Sequence, residues 1–369
     1  MTAGALTTIV CLGAFAGCSG PTAQASSNSA NSANSGNSTT SANAAAAATS
    51  VEPIVLYAAE GYDSTVAKAF TAKTGIPVKV DDDSTGPLTA KITAEKDNPQ
   101  WTLFWADGDT GFASLDQQGL LAPYQSASAT FTDAGQKLQP ASHGYTVSAT
   151  TVMAALIYNA AAVTSVPTAY TDLETAPYTG KVGMNDPSQS GPTYPFIAGL
   201  MNQFGGQSNG VAAGEAFLTK LKANGLHVYP TNGDTLHALE SGQIDYGMIQ
   251  SSAALGEVLK TKATAKYKPE IAYLPLSTLL PSCIAIDKGA DAQTQKEAQQ
   301  FIDYVLSPEG QAVMQTGDPS GDSLFWPVVT GVSALPALPA MPTQYQVLDP
   351  TFWGPLEGQV NSWFDSTIK

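Results

Sequence analysis

The stretch from Ile54 to Asp109 alternates between short apolar runs and amphipathic ones, and this alternation restricts the fold more than any other part of the chain. Ile54-Val55-Leu56-Tyr57 is β-branched and aromatic, as a strand requires. Asp63 to Thr74 reads as a helix. Val66 and Phe70 fall one turn apart, Asp63 or Ser64 can cap its start, and Gly75 stands where a helix end takes a left-handed residue. Ile76-Pro77-Val78-Lys79-Val80 is a second strand, Ser84-Thr85-Gly86-Pro87 opens a second helix reaching Asp97, and Trp101 to Ala106 is a third strand. Strand, helix, strand, helix, strand predicts a parallel sheet with crossover helices. In such sheets the loops beyond the carboxyl ends of the strands form the ligand crevice.

A second α/β pattern follows. Phe112 to Gln118 is a short helix, residues 125–143 carry no clear pattern, and Tyr145 to Tyr158 alternates as a strand crossing between two lobes. Lys181 to Met184 is a strand ending at Asn185-Asp186-Pro187, and Ser190-Gly191-Pro192-Thr193 opens a helix stopped by Gly205-Gly206. A further helix over about 211–223, a strand at His227-Val228-Tyr229 and a strand from Ile244 to Ile249 complete it. Ile271 to Leu274 reads as the second crossing, and Cys283–Ile286 with a helix over about 291–306 rejoins the first lobe. The expected fold is α/β, two doubly wound lobes joined by two crossing segments. Residues 51–145 plus 273–318 form lobe 1, and 146–272 plus 319–369 form lobe 2.

Charge narrows the partners. The formal net charge is −15, which argues against nucleic acid. All 16 cationic side chains are lysines, so the bidentate guanidinium fork is absent from this chain. An anion would have to be held by backbone N–H groups, hydroxyls, helix N-termini or lysine. The cysteines are Cys11, Cys18 and Cys283, at spacings that fit neither a disulfide framework nor a metal site. Residues 1–17 contain an apolar run too short to span a bilayer and read as a signal peptide. Residues 19–50 are Ser, Asn, Ala, Gly and Thr-rich without a charge, a composition that cannot bury enough apolar surface to fold and suits a disordered tether.

Hydroxyl- and amide-rich loops recur at the expected strand ends: Ser84-Thr85-Gly86, Ser188 to Thr193 with Ser190 and Gly191, Asn232-Gly233-Asp234, and Gln250-Ser251-Ser252. Exposed N–H groups and the helix macrodipole attract anions there, although Ser, Thr, Asn and Asp also cap helices everywhere. Tyr62 and Asp107 sit near two further strand ends. Asp81-Asp82-Asp83 has calcium-loop spacing at its start, but Ile92 occupies the position of the bidentate Glu, and the run reads as a solvated strand end. Gly206-Gln207-Ser208-Asn209-Gly210 spells a nucleophile elbow, but a helix precedes it where a strand is needed. His143, His227 and His237 have no metal spacing. No residue set points to catalysis or to a cofactor, so a hydrolase is the rival from another class only in principle.

Several of these segments together resemble the solute-binding proteins of bacterial ABC importers, in the branch that holds ferric-iron, phosphonate and sugar-phosphate binders. The matching residues include Val55-Leu56-Tyr57, Thr74-Gly75-Ile76-Pro77-Val78, Ser84-Thr85-Gly86, Phe104-Trp105, Gly119 to Tyr124, Ile157-Tyr158-Asn159, Asp186-Pro187 and Ser307-Pro308-Glu309-Gly310-Gln311. Phe15-Ala16-Gly17-Cys18 is similar to a lipobox, which implies lipidation at Cys18 and an extracytoplasmic, membrane-anchored protein at the cell surface or in the periplasm. The resemblance implies a type II periplasmic-binding-protein fold. It also implies a monomer that captures a small solute by hinge closure and docks on permease subunits. The tyrosine pair of the iron binders is replaced by Gln250-Ser251-Ser252-Ala253, and Thr102 stands where the family usually has Asp. The solute expected is an oxygen-rich anion, phosphorylated, phosphonate or carboxylate, held without a metal. The alternative is ferric iron or another cation, metal or polyamine, using Asp107, Asp109, Asp234 and tyrosines. A sensor or adhesion lipoprotein that kept the fold is a third possibility.

Overall fold

A computed structural model describes residues 52–369, which belong to one compact unit. The expected signal peptide, Cys18 and the expected tether lie outside the described residues.

Strand β1 (Ile54–Ala58), helix α1 (Asp63–Thr74), strand β2 (Val78–Asp82), helix α2 (Thr85–Ala94) and strand β3 (Leu103–Asp107) follow the expected order. β1 lies between β2 and β3 and runs parallel to both, with Ile54 opposite Val78 and Leu56 opposite Leu103. Gly75 closes α1 with φ 77°, and its N–H donates to the Thr71 carbonyl. β3 is buried along its whole length, as a parallel strand covered on both faces should be. Helix α3 (Asp109–Gln117), strand β4 (Leu121–Ala122) and helix α4 (Asp133–Leu138) follow, the last within the stretch whose sequence carried no pattern.

The first crossing has the length its sequence suggested, and the second is longer. β5 (Thr146–Asn159) pairs antiparallel with β9 (Pro269–Asp287) from Thr146 opposite Ile284 to Asn159 opposite Pro269. Ile271–Leu274 and Cys283–Ile286 are therefore parts of one strand, with Pro281 paired opposite Thr150 and Pro275 at a register shift between Met153 and Ala155. Between them run β6 (Val182–Asn185), α5 (Thr193–Ala223), β7 (His227–Tyr229), α6 (Asn232–Glu240), β8 (Tyr246–Ile249) and α7 (Ser251–Lys260). β6 is parallel to both β7 and β8. The main sheet order is β2-β1-β3-β9-β5-β8-β6-β7, so two three-stranded parallel halves are joined by the antiparallel crossing pair. α5 contains both expected helices, broken at Gly206, whose φ of 60° and ψ of −163° are not helical.

The chain ends with α8 (Ala292–Val305), α9 (Pro308–Gly317), β10 (Trp326–Pro327), β11 (Tyr345–Gln346), α10 (Pro350–Trp353) and α11 (Glu357–Thr367). Ser307 caps α9 by accepting from the Gly310 N–H at 3.1 Å. One core gathers Leu56, Phe70, Trp105 and Phe301, with the Phe70 and Phe301 rings 5.0 Å apart. A second gathers Met184, Phe196, Leu200, Phe217, Trp353 and Phe364. Phe325, Trp326 and Val328 pack in the first core, whereas the tail joins the second from Leu348 onward.

Candidate functional site

The carboxyl ends of β1, β2, β3, β6, β7 and β8 open on one cleft with a volume of about 410 Å³. After β1 come Ala59, Glu60 and Gly61; after β2 come Asp82 and Asp83 with Ser84 and Thr85 at the start of α2; β3 ends in Asp107. The other half supplies Gln189 to Pro192 before α5, Thr231 to Gly233 at the start of α6, and Gln250 before α7. Asp322, from the loop after α9, completes the lining.

Buried polar contacts hold these loops. Asn185 donates to Ser190 Oγ at 3.2 Å and to Asn232 Oδ1 at 2.6 Å, and accepts from Thr235 Oγ1 at 2.6 Å. One amide at the end of β6 thus fixes two lining loops. Gln250 Nε2 donates to Asp107 Oδ2 at 2.6 Å, linking the two halves across the floor. Asp322 accepts from the Gly61 N–H at 2.9 Å and from Ser252 Oγ at 3.3 Å, a second link between halves. Glu60 accepts from Ser282 Oγ, which also meets Tyr62 Oη at 3.3 Å. Across the mouth, a Cβ on Gly86 would lie 2.5 Å from the Ser188 carbonyl oxygen, and one on Gly191 would lie 2.3 Å from Thr85 Cβ. Two glycines therefore let the rims touch.

The electrostatics are one-sided. The lining holds five carboxylates, Glu60, Asp82, Asp83, Asp107 and Asp322, and no lysine or histidine. Burial pushes Glu60 well above the usual carboxylate range, and Asp107 and Asp322 add their repulsion. Asp107 is pushed well above it by burial first and Asp322 second, against the opposing hydrogen bond from Gln250. Burial also raises Asp322, while the Gly61 N–H works in the other direction. Buried like charges favour the protonated form unless a cation arrives to balance them.

Of the residues singled out from sequence, Ser84, Thr85, Asp107, Ser190, Gly191, Asn232 and Gly233 line the cleft. Tyr62 does not; it is buried behind Glu60 with its ring 5.2 Å from Trp105. Gly86 and Ser188 meet at the rim contact. Thr193 is buried in the first turn of α5. Thr231 Oγ1 donates to the Asp234 carboxylate at 2.7 Å in the cap of α6. Ser251 Oγ accepts from the Val152 N–H at 3.1 Å, and Ser252 is bound to Asp322. Asp109 opens on a different cavity. Gln189 and Gln250, within two of the loops expected at the cleft, also line it; sequence reading passed over Glu60, Asp82, Asp83, Thr231 and Asp322 as lining residues. Glu60 was detectable as a carboxylate just beyond a strand end; Asp322 had no such signal, because the chain brings it in from a remote loop. Among the described residues no group of three or more His, Cys, Asp or Glu side chains is placed to hold a metal ion.

A two-halved α/β molecule with a polar cleft at converging strand ends is the architecture of a periplasmic-binding-protein-like solute receptor. The bacterial extracellular solute-binding protein family matches residues 65–344, and the chain belongs to it. It is thus a member of a family of binding proteins rather than enzymes. The Fe(3+)-binding periplasmic protein of Serratia marcescens is 24% identical over 273 residues, covering 72% of this chain and 77% of that protein. The structure of the periplasmic binding protein AfuA from Actinobacillus pleuropneumoniae, with exogenous fructose-6-phosphate bound, is similar with a TM-score of 0.70 and 20% identity, covering 85% of this chain and 98% of that one. A periplasmic thiamin binding protein is similar with a TM-score of 0.67 and 16% identity, covering 86% and 96%. The fold is shared by receptors named for chemically unlike solutes.

Proposed function

We propose that this protein captures a small aliphatic polyamine outside the cytoplasmic membrane and delivers it to the permease of an ABC importer. The observation that carries this reading is the lining: five carboxylates and no basic side chain. The N-termini of α2, α5, α6 and α7 also face the cleft, each equivalent to roughly half a positive charge. Together they offset about two carboxylate charges, while Glu60 and Asp107, which burial inclines toward the proton, can ionise to balance a cation that arrives. An anion would meet uncompensated carboxylates, so the oxygen-rich anion expected from sequence fits less well than the polyamine held as its alternative. No aromatic side chain lines the cleft, which favours primary and secondary ammonium groups that donate hydrogen bonds over quaternary ones that need an aromatic cage. The hydroxyls and amides of Ser84, Thr85, Ser190, Asn232 and Gln250 supply further polar partners.

Ligand contacts on both halves favour the closed arrangement, in which Gly86 and Gly191 bring the rims together. The two lobes of this motion follow the division expected from sequence, with 325–329 moving with lobe 1, whose core they share. Lipidation at Cys18 would hold the body at the membrane through the 19–50 tether. Titration calorimetry tests the solute: spermidine should bind saturably, and fructose-6-phosphate and ferric citrate should not. Saturable binding of either of the latter two in place of spermidine would overturn the reading.

A further inference from the structure

Asp109 opens a second cavity, of about 380 Å³, on the far side of Gly108 from the cleft. α3 supplies Asp109 and Ala113, α4 and the turn after it supply Leu138 and Pro140, and the C-terminal segment supplies Val347 and Leu348. The Gln117 side chain donates to the Thr351 carbonyl at 2.9 Å and ties α3 to that segment along one edge. The walls are mainly apolar, but two buried polar groups face the cavity. Tyr145 is 3% exposed as a residue, and its hydroxyl reaches the cavity without a hydrogen-bond partner among the described residues. Asp109 is 5% exposed, and its carboxylate is held only by backbone N–H groups at the start of α3. Lys137 stands at the exposed rim in no ion pair among the described residues, Asp116 lies on the lining, and Asp349 lies just outside it.

We propose that this cavity is a second ligand site, for a small molecule with an apolar body and a single ammonium group. The body fits between Leu138, Pro140 and Leu348, and the ammonium donates to the Asp109 carboxylate and to the Tyr145 hydroxyl oxygen. A hydroxyl that faces the cavity unpaired by the protein can accept a donor from a ligand, and a largely buried carboxylate without a cation favours one that arrives. Apolar walls with few convergent polar groups and a volume of this size are the ordinary features of a small-molecule pocket. The site does not depend on what the cleft binds.

Phenethylamine is the probe, titrated calorimetrically into the full chain and into three variants. Saturable binding is expected, with 2-phenylethanol, which lacks the charge, at least about tenfold weaker. Asp109→Asn keeps the shape and the backbone hydrogen bonds and should weaken phenethylamine by about tenfold or more, and Tyr145→Phe by a smaller factor. Asp107→Asn alters only the cleft and should leave phenethylamine within about twofold. Absence of saturable binding, equal affinity for the Asp109→Asn variant, or loss of binding in Asp107→Asn would each overturn the proposal; the last would place the probe in the cleft. Unliganded melting curves of the variants show whether any loss reflects unfolding.

Discussion

Asp107→Asn should move stability and affinity in opposite directions. Asp107 ends β3 in the cleft floor, is 7% exposed, and accepts a 2.6 Å hydrogen bond from Gln250 Nε2. Asn is isosteric, and its Oδ1 can keep that bond. What changes is the charge, which burial and the neighbouring Asp322 penalise. At pH 8, removing a buried and imperfectly balanced charge should stabilise the unliganded protein by about 1–3 kcal/mol, the scale of an unsatisfied buried group. At pH 5, closer to the protonated form that burial favours, the difference between the two proteins should be smaller. Binding runs the other way. A hydrogen bond to a charged group contributes about 1.5–3 kcal/mol, so spermidine should bind the variant about 10- to 150-fold more weakly at pH 8. Scanning calorimetry at both pH values and titration calorimetry at pH 8 read the two effects. Unchanged or tighter spermidine binding, or fructose-6-phosphate binding that appears in the wild type and strengthens in the variant, would refute a cation facing Asp107. A variant that melts lower at pH 8 would refute the electrostatic account of the floor.

Burial raises Asp63 to about 6 and both Asp109 and Glu357 to about 7, so each keeps its proton to higher pH when folded than when unfolded. Stability from these groups is complete below the ordinary carboxylate range and is lost as pH rises through about 6–7; unliganded protein should therefore melt higher at pH 5 than at pH 8, and the reverse order would contradict their burial. Gly86→Val places a branched side chain where a Cβ alone would lie 2.5 Å from the Ser188 carbonyl oxygen. It should block closure, so X-ray scattering with spermidine should retain the radius of gyration of the unliganded wild type, while the unliganded melting temperature stays within error; normal compaction on binding would show that the rim contact is dispensable. Cys18→Ala should release the protein from the membrane fraction and Cys283→Ala should not; retention of both would rule out lipidation at Cys18.

Local signals made the first half of the fold legible. Periodicity and caps act over a few residues, so Val66, Phe70 and Gly75 specify α1 wherever it packs, and three apolar runs specify β1 to β3. Partners distant in sequence were not legible in the same way. β9 appeared as two fragments because pairing with β5, more than a hundred residues earlier, holds it through Pro281 and on both sides of the register shift at Pro275. α4 and α9 are short, and the one is held by contact with β5 and the other by contact with α1. The loops at the strand ends could be found from sequence, but their joint charge could not. Glu60, Asp107 and Asp322 form one acidic floor only once β1, β3 and the loop after α9 converge, and a carboxylate at a strand end reads in sequence as a solvated turn. The pair Asp107 and Asp109 shows the division most clearly. Sequence placed both as candidate ligands of one site. Gly108, with φ 97°, turns the chain between strand and helix, so one carboxylate enters the cleft and the other a separate cavity. Sequence determined that this chain makes two α/β halves with polar loops at their strand ends, because that information is local. Tertiary structure alone decided the sign of the site and which acids share it, because electrostatic energy depends on distances through space that the order of residues does not contain.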